Sequence, residues 1–260
     1  MRLRAWAVVL ALAATPAAAE DSVSAPFITT PDEVVHRMLE FAQTRPGDVV
    51  VDLGSGDGRI VIAAAQKFGA RGVGIEIDAA LVRKSRDYAA KAGVAHRVSF
   101  VEGDVLATDI SAASVVTVYL LPQLINRLQP IFLRQLEPGT RIVSHAFSMA
   151  GWQPDARETV RIPTPHPGQG PESTLHLWIV PADVRGAWQA SGTRLVIHQN
   201  FQQIELEGRL AGREISSYRA SLRGREIVWE ANGLRFQGRV EGDSISGELG
   251  GQPLLLTRTR

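Results

Sequence analysis

The stretch VVVDLGSGDG, residues Val49–Gly58, decides the fold class. Its first half is a run of β-branched residues typical of a buried strand, and its second half is a glycine-rich turn. A helical pattern follows from Arg59 to Phe68 and ends at Gly69. A strand that runs through a glycine turn into a helix is typical of nucleotide sites, because glycine lets the backbone approach a ligand closely.

The same alternation of apolar strands and amphipathic helices extends from Thr30 to about Pro181. Five strands and a final hairpin are predicted, over 48–53, 72–77, 98–101, 114–121, 141–147, and 159–162 with 174–180. Helices are predicted from Pro31 with Thr30 as N-cap, over 59–68, over 79–92 after the cap Asp78, and over 123–136 with a break at Pro130. This pattern predicts a doubly wound α/β domain, with a mostly parallel sheet, over residues 26–183.

The chain from Arg185 onward has a different pattern, in which short alternating segments are separated by glycine. We predict a small C-terminal antiparallel β domain, a β-meander, over residues 185–260. The sequence GREI at 212–215 recurs at 224–227 and more loosely at 242–245, which predicts repeated hairpin turns. Its core is predicted to contain Trp188, Phe201, Trp229 and Phe236.

The N-terminus has the pattern of a secretory signal peptide over residues 1–19. Arg2 and Arg4 precede an apolar run over 5–14, and small residues follow at 17–19. A membrane span needs about 20 apolar residues, so this run is short for one. We expect an exported protein, periplasmic or membrane-associated, if this signal functions. The alternatives are an uncleaved anchor, or a misassigned start in front of a cytoplasmic enzyme.

Composition excludes several classes of site. The formal net charge is +1, so no bulk electrostatic attraction to nucleic acid is expected. Cysteine is absent, which excludes disulfides, iron–sulfur clusters, thiolate zinc sites and cysteine nucleophiles. The six histidines are scattered without metal-ligand spacing, and no metal site is predicted.

Acidic residues follow two further strands at the edge where the glycine turn lies. Glu76 ends the second predicted strand, and Asp104 follows the third. The carboxyl ends of parallel strands meet at one edge, where a carboxylate can accept hydrogen bonds from both ribose hydroxyls. We therefore predict that Glu76 binds a ribose and that Asp104 meets an adenine amine, although Asp104 also suits an ordinary turn.

The charges around the turn select among nucleotides. Gly54, Gly56 and Gly58 have the spacing G-x-G-x-G rather than G-x-G-x-x-G, and Asp52 and Asp57 flank the turn. Carboxylates repel a pyrophosphate, whereas they suit a ligand that carries an ammonium and a sulfonium. This balance favours S-adenosyl-L-methionine over NAD, and the absence of a phosphate-loop lysine argues against an ATPase.

From about Pro26 to Trp152 the sequence resembles the class I S-adenosylmethionine-dependent methyltransferases, which have a Rossmann-like fold. More narrowly, it is similar to the protein-lysine methyltransferases that modify the mitochondrial ATP synthase c-subunit and adenine nucleotide translocase, and to their archaeal relatives. The resemblance rests on FITTP at 27–31, DLGSGDGRI at 52–60, GIEID at 74–78, YLLP at 119–122 and SHAF at 144–147. The YLLP motif is the narrower marker.

The resemblance implies N-methylation of lysine side chains in proteins, with Tyr119 and Pro122 beside the transferring methyl group. We predict that Tyr119 shapes the acceptor pocket and hydrogen-bonds the amine, while Pro122 holds the turn; the alternative for Tyr119 is a packed strand-end tyrosine. His145 either faces this pocket or is a packed histidine. The candidate cofactor-binding residues are Thr30, Asp52, Gly54, Gly56, Asp57, Glu76 and Asp104. Thr30 is equally suited to capping the first helix.

Two other functions remain open at this stage. One keeps the cofactor and replaces lysine by a small-molecule or lipid acceptor. The other is a non-catalytic exported binding protein that uses the C-terminal β region. That region is expected to present substrate, to bind an envelope partner, or to stabilise the first domain.

Overall fold

The computed structural model describes residues 28–163, 165, 170–210, 212–217 and 220–259. The predicted signal peptide therefore lies outside the described residues. Four helices are present in the described part: α1 Asp32–Phe41, α2 Arg59–Phe68, α3 Ala79–Lys91 and α4 Pro122–Gln135. None of the helices described here has the length and apolar character needed to cross a membrane.

The first sheet has seven strands and mostly parallel pairing. They are β1 Val49–Leu53, β2 Arg71–Glu76, β3 Val98–Glu102, β4 Val115–Val118, β5 Arg141–His145, β6 Ala156–Arg161 and β7 Glu172–Ile179. The order across the sheet is β3-β2-β1-β4-β5-β7-β6, and only the pairings of β7 are antiparallel. The chain order reverses between β1 and β4, so a switch point opens at the carboxyl end of β1, where open α/β sheets bind ligands.

Helices cover both faces of this sheet, as the doubly wound prediction requires. Apolar residues of α1, α2 and α3 pack on one face, among them Val34, Val61 and Val82. On the other face α4 packs through Ile125 and Leu128. The predicted α/β architecture is confirmed, including the final hairpin.

Two predictions about helices are wrong. Thr30 does not cap α1, because the N-cap position is Pro31 and no side-chain cap bond forms there. The Thr30 hydroxyl instead lies 3.3 Å from Nδ1 of His145. Pro130 does not break α4, which continues through it. Pro130 lies on the exposed side of α4, while Leu128 and Ile131 on either side of it are buried and hold the helix against the sheet.

The second sheet is entirely antiparallel and confirms the predicted C-terminal β region. Its strands are β8 Gly186–Ala190, β9 Thr193–Asn200, β10 Gln203–Leu210, β11 Arg213–Ser217, β12 Ala220–Arg223, β13 Glu226–Ala231, β14 Leu234–Glu241, β15 Ser244–Leu249 and β16 Gln252–Arg258. β10 pairs with both β9 and β12, and β16 pairs with β8, so eight strands close into a ring. We call residues 186–258 the C-terminal barrel.

The repeated glycines lie in the tight turns that the sequence predicted. Gly212, Gly224 and Gly242 have φ values of 81°, 61° and 57°, which glycine adopts without steric cost. The barrel interior is filled by side chains, since Trp188, Trp229 and Phe236 are fully buried in one cluster.

Phe201 corrects the predicted barrel core. Its ring stacks on Trp152 of the first domain, with centroids 5.1 Å apart and planes 5° apart, so it packs against the other core. The barrel also contacts the first domain through Ala182, whose N–H donates to the Gly224 carbonyl at 2.8 Å. Arg225 pairs with Glu137 at 2.7 Å. Glu137 precedes β5, so this contact lies at the amino edge of the sheet, opposite the carboxyl ends of the strands.

Candidate active site

The glycine turn after β1 is built so that it approaches β2 and β4 closely. The N–H groups of Gly54 and Ser55 both donate to the Ile75 carbonyl at 2.9 Å. Gly54 has φ 75°, and a Cβ placed there would lie 2.8 Å from Cδ2 of Leu120. Glycine is required at this position both by the backbone angle and by the neighbouring side chain.

Glu76 is held beside this turn at the carboxyl end of β2. Its Oε2 accepts a hydrogen bond from the Gly56 N–H at 2.8 Å, and its Oε1 accepts one from the Asp78 N–H at 3.0 Å. The residue is 9% exposed. An ionised carboxylate has about four acceptor positions, so these two bonds fix its orientation and leave capacity for the hydroxyls of a ligand.

Asp52 is a buried carboxyl whose charged neighbours in the described chain are acidic. Thr117 Oγ1 donates a hydrogen bond to Asp52 Oδ1 at 2.7 Å. Burial raises the pKa of Asp52 to about 7; the Thr117 bond opposes this shift, and the negative charges of Glu76 and Asp57 add to it. A cationic ligand in the switch point would favour the ionised carboxylate.

Asp57 differs from Asp52 because Arg59 neutralises it. Nε and Nη2 of Arg59 donate to its two carboxylate oxygens at 2.9 and 2.7 Å, and these bonds, opposing burial, lower the pKa of Asp57. The sequence argument counted Asp57 as a repulsive charge, whereas the structure leaves that role to Asp52 and Glu76. Arg59 Nη1 also donates to the Thr30 carbonyl at 2.9 Å, so it ties the segment before α1 to the turn.

Arg59 is a site residue that sequence reasoning missed. The signal was present, since Arg59 follows Asp57 by two positions at the first residue of α2. Asp104 lies at the same edge after β3, but it is exposed, and its Oδ1 accepts a hydrogen bond from the Leu106 N–H at 2.8 Å. Its predicted contact with adenine stays a prediction.

The acceptor side of the site is aromatic. Tyr119 follows β4 and is half-buried, with its ring 4.0 Å from the His145 ring and 6.3 Å from the Phe147 ring. Pro122 is the first residue of α4 and is exposed. The structure therefore brings Tyr119 together with the SHAF motif, while Pro122 begins the helix that follows the turn.

His145 is almost fully buried, at 1% exposure. Burial lowers its pKa to about 4, so the imidazole is neutral at neutral pH. Both ring nitrogens have hydroxyl partners, Thr30 at Nδ1 and Ser173 at Nε2. The packed interpretation of His145 is correct as to burial, and its ring also faces Tyr119.

The donor set fits S-adenosyl-L-methionine. Glu76 offers carboxylate oxygens at the position of a ribose, and Asp52 offers a buried carboxyl whose ionisation a positive charge would favour. Glu76 and the turn residues Gly54 and Gly56 stand together at the switch point. Within the described residues, no three His, Asp or Glu side chains converge as metal ligands.

Comparison with known proteins finds methyltransferases. The family model of the ANTKMT methyltransferase domain matches residues 52–156. A protein-lysine N-methyltransferase of Saccharolobus islandicus is 44% identical over 138 residues, which are 53% of this chain and 84% of that protein. The lysine N-methyltransferase of Homo sapiens that is named for the ATP synthase c-subunit is 35% identical over 133 residues; this match spans 51% of the chain and about half, 56%, of the human protein.

A solved structure has the same fold and carries the cofactor product. It is an RNA methyltransferase from Salinibacter ruber in complex with S-adenosyl-L-homocysteine, 50% identical and with a TM-score of 0.54. The match covers 60% of this chain and 96% of that one. On the sheet order, the acidic glycine turn and these relatives, the chain belongs to the protein-lysine methyltransferase family of S-adenosyl-L-methionine-dependent methyltransferases, and its cofactor is S-adenosyl-L-methionine.

Proposed function

We propose that this methyltransferase acts on the side-chain amine of lysine in a protein substrate. The observation that carries the proposal is the half-buried Tyr119, packed against a neutral His145 at the carboxyl edge. The two lysine methyltransferases to which the chain is similar support the same acceptor. Their substrates are those proteins' own, and the substrate of this chain is the proposal.

A lysine acceptor must lose its proton, because an ammonium has no lone pair. Its ordinary pKa is about 10.4, and aromatic surroundings lower this pKa by disfavouring the charged form. The rings of Tyr119, His145 and Phe147 supply such surroundings, and His145 adds no positive charge that would repel the amine's residual proton. When bound, S-adenosyl-L-methionine supplies a methyl group activated by the positive sulfur.

The chain's own contribution to the reaction is position. We propose that the Tyr119 hydroxyl accepts a hydrogen bond from the amine and so directs its lone pair toward the methyl carbon. Glu76 orients the cofactor's ribose, and Gly54 and Gly56 allow its close approach. Position alone accounts for a large share of rate enhancement in reactions that need aligned partners.

RNA is the second candidate acceptor, because the Salinibacter ruber relative is named an RNA methyltransferase. The charge distribution favours protein. The net charge is +1, and arginines of the C-terminal barrel are paired with acids: Arg209 with Glu214, Arg239 with Glu226, and Arg258 with Asp243. Paired arginines do not form the continuous basic strip that phosphate backbones require.

A labelled-transfer assay tests the acceptor directly. The full chain is incubated with methyl-labelled S-adenosyl-L-methionine and a cell extract, which is then separated into protein, RNA, lipid and small-molecule fractions. Label in protein, recovered as methyllysine after hydrolysis, is expected. Label that is recovered in RNA, lipid or small molecules and is absent from methyllysine would contradict the proposal.

Tyr119→Phe tests the proposed role of the hydroxyl. Loss of one orienting hydrogen bond, worth about 1–1.5 kcal/mol, should lower kcat about tenfold. Affinity for S-adenosyl-L-methionine should stay within about twofold, because Tyr119 lies on the acceptor side. Tyr88→Phe on α3 is the matched control, since Tyr88 is 40% exposed and away from the site. Unchanged turnover in Tyr119→Phe would remove the hydroxyl from the chemistry.

We further propose that the predicted signal peptide directs this enzyme out of the cytoplasm. The support is the sequence pattern of residues 1–19 alone. Fractionation of cells followed by N-terminal sequencing of the mature protein tests it. A soluble cytoplasmic protein that begins at Met1 would contradict it.

A further inference from the structure

His145 joins three separate parts of the active-site edge. Its Nδ1 lies 3.3 Å from Oγ1 of Thr30, in the segment before α1. Its Nε2 is hydrogen-bonded to Oγ of Ser173 on β7. One face of its ring packs on Tyr119, with centroids 4.0 Å apart and planes inclined at 34°. The imidazole therefore links the segment before α1, the last strand hairpin and the acceptor side of the site.

We propose that His145 is a positioning residue for methyl transfer, which fixes the Tyr119 ring through its face while Thr30 and Ser173 fix the imidazole. The inference rests on the proposed function, because it assigns a means by which Tyr119 keeps its orientation toward the acceptor amine. It is a role for a side chain that touches neither methyl donor nor acceptor.

The backbone around His145 is shaped for this placement. Ala146 has φ 66°, a conformation that non-glycine residues seldom adopt and that concentrates at functional sites. Its N–H donates to the Thr174 carbonyl at 2.7 Å, and Ser144 Oγ donates to the Phe147 carbonyl at 2.7 Å. These bonds hold the bend that ends β5, so that His145 and Phe147 both reach Tyr119.

The protonation state of His145 supports the same role. A buried imidazole that is neutral has one donor and one acceptor nitrogen, and the two hydroxyls satisfy both. Its lowered pKa keeps it neutral wherever the enzyme works above about pH 5. The ring is therefore fixed in one charge state and one orientation, as a positioning group requires.

The test compares two substitutions of His145 with a matched histidine. His145→Gln keeps polar groups near Thr30 and Ser173 but removes the ring, whereas His145→Phe keeps a ring and removes both hydrogen bonds. His176→Gln is the control: His176 is also buried on this sheet, and its ring stacks on Trp178, which packs in the core under α4. Ser173→Ala is a milder variant that removes a single bond to the imidazole.

The readouts separate positioning from mere folding. Both His145 variants should bind one equivalent of S-adenosyl-L-methionine with affinity within about twofold of wild type, while kcat falls about tenfold or more. The ratio of mono-, di- and trimethyllysine should also shift, because it depends on how the amine is oriented. His176→Gln should lower thermal stability without moving that ratio. Ser173→Ala should give a smaller shift in the same direction.

Two results would overturn the inference. One is an unchanged kcat and methyllysine ratio in the folded His145 variants or, if neither of these folds, in Ser173→Ala. The other is activity that falls only in proportion to the fraction of protein able to bind cofactor, which indicates a structural role. If wild type instead labels another acceptor, the proposed function fails, and the His145 inference is judged separately from kcat on that acceptor.

Discussion

The carboxyl edge of the first sheet and the surface of the C-terminal barrel treat charge in opposite ways. At the edge, Asp52 is buried among negative charges, and Glu76 is held by backbone N–H groups. On the barrel, acids such as Glu214 and Glu226 are exposed and paired with arginine. Exposed pairs contribute little free energy, whereas a buried carboxyl without a counterion is costly.

This difference indicates where the chemistry takes place. A fold retains a buried, uncompensated carboxyl where a ligand supplies the missing charge, and Asp52 lies where the switch point opens. The barrel has a filled interior, and its contacts with the first domain run through Trp152 and Glu137, the latter at the amino edge. Among the roles that the sequence left open for the C-terminal region, these contacts favour stabilisation of the methyltransferase domain.

Glu76→Ala should have the largest effect on the catalytic side of this comparison. Loss of charge-assisted hydrogen bonds to the ribose costs about 1.5–3 kcal/mol, so the Kd for S-adenosyl-L-methionine should rise about ten- to hundredfold in calorimetric titration. Glu102→Ala is the control, because Glu102 pairs with Glu76 in the neighbouring strand but is exposed. Equal Kd values for the two variants would contradict the assignment of Glu76.

Phe201→Ala should have the next largest effect, and on stability rather than on binding. Removing a half-buried aromatic ring from its stack on Trp152 should lower the free energy of unfolding by about 2 kcal/mol. Leu255→Ala on β16, where the side chain is 57% exposed, should change it by less than about 0.5 kcal/mol. Denaturant titration measures both. A change in cofactor Kd in folded Phe201→Ala would place the barrel in the functional site instead.

Arg225→Ala should have the smallest effect of the series. Its partner Glu137 is 75% exposed, and exposed ion pairs contribute about 0–1 kcal/mol. We expect a loss of stability below about 1 kcal/mol, which shrinks further at high salt, and no change in methyl transfer. A loss that matches Phe201→Ala would show that the interface is held by charge rather than by the aromatic stack.

The parts of the fold that were predictable follow from local pattern. The limits of α2 over residues 59–68 were given by the glycines on either side, and the cap Asp78 accepts hydrogen bonds from the N–H groups of Ala80 and Leu81, as predicted. The elements that carry the site were therefore placed from sequence, because each depends on neighbours in the chain.

The parts that could not be predicted depend on distant contacts. Thr30 looks like a helix cap locally, but His145, distant in sequence, takes its hydroxyl. Phe201 looks like barrel core, but Trp152 of the other domain lies beside it. The closure of the barrel likewise requires β16 to meet β8, which no local pattern encodes. The ligand roles of the site residues stay predictions until a complex is measured.

The most direct measurement of the central claim is the pH dependence of S-adenosyl-L-methionine binding, compared between wild type and Asp52→Asn. Asp52 has a pKa of about 7 in the free protein, and a bound cation favours its ionised form. Binding below pH 7 must therefore release a proton, and affinity should rise about tenfold from pH 6 to pH 8 relative to the asparagine variant, with proton release seen by calorimetry in buffers of different ionisation enthalpy. The same pH profile in both proteins would contradict the claim that this buried carboxyl awaits a positive ligand.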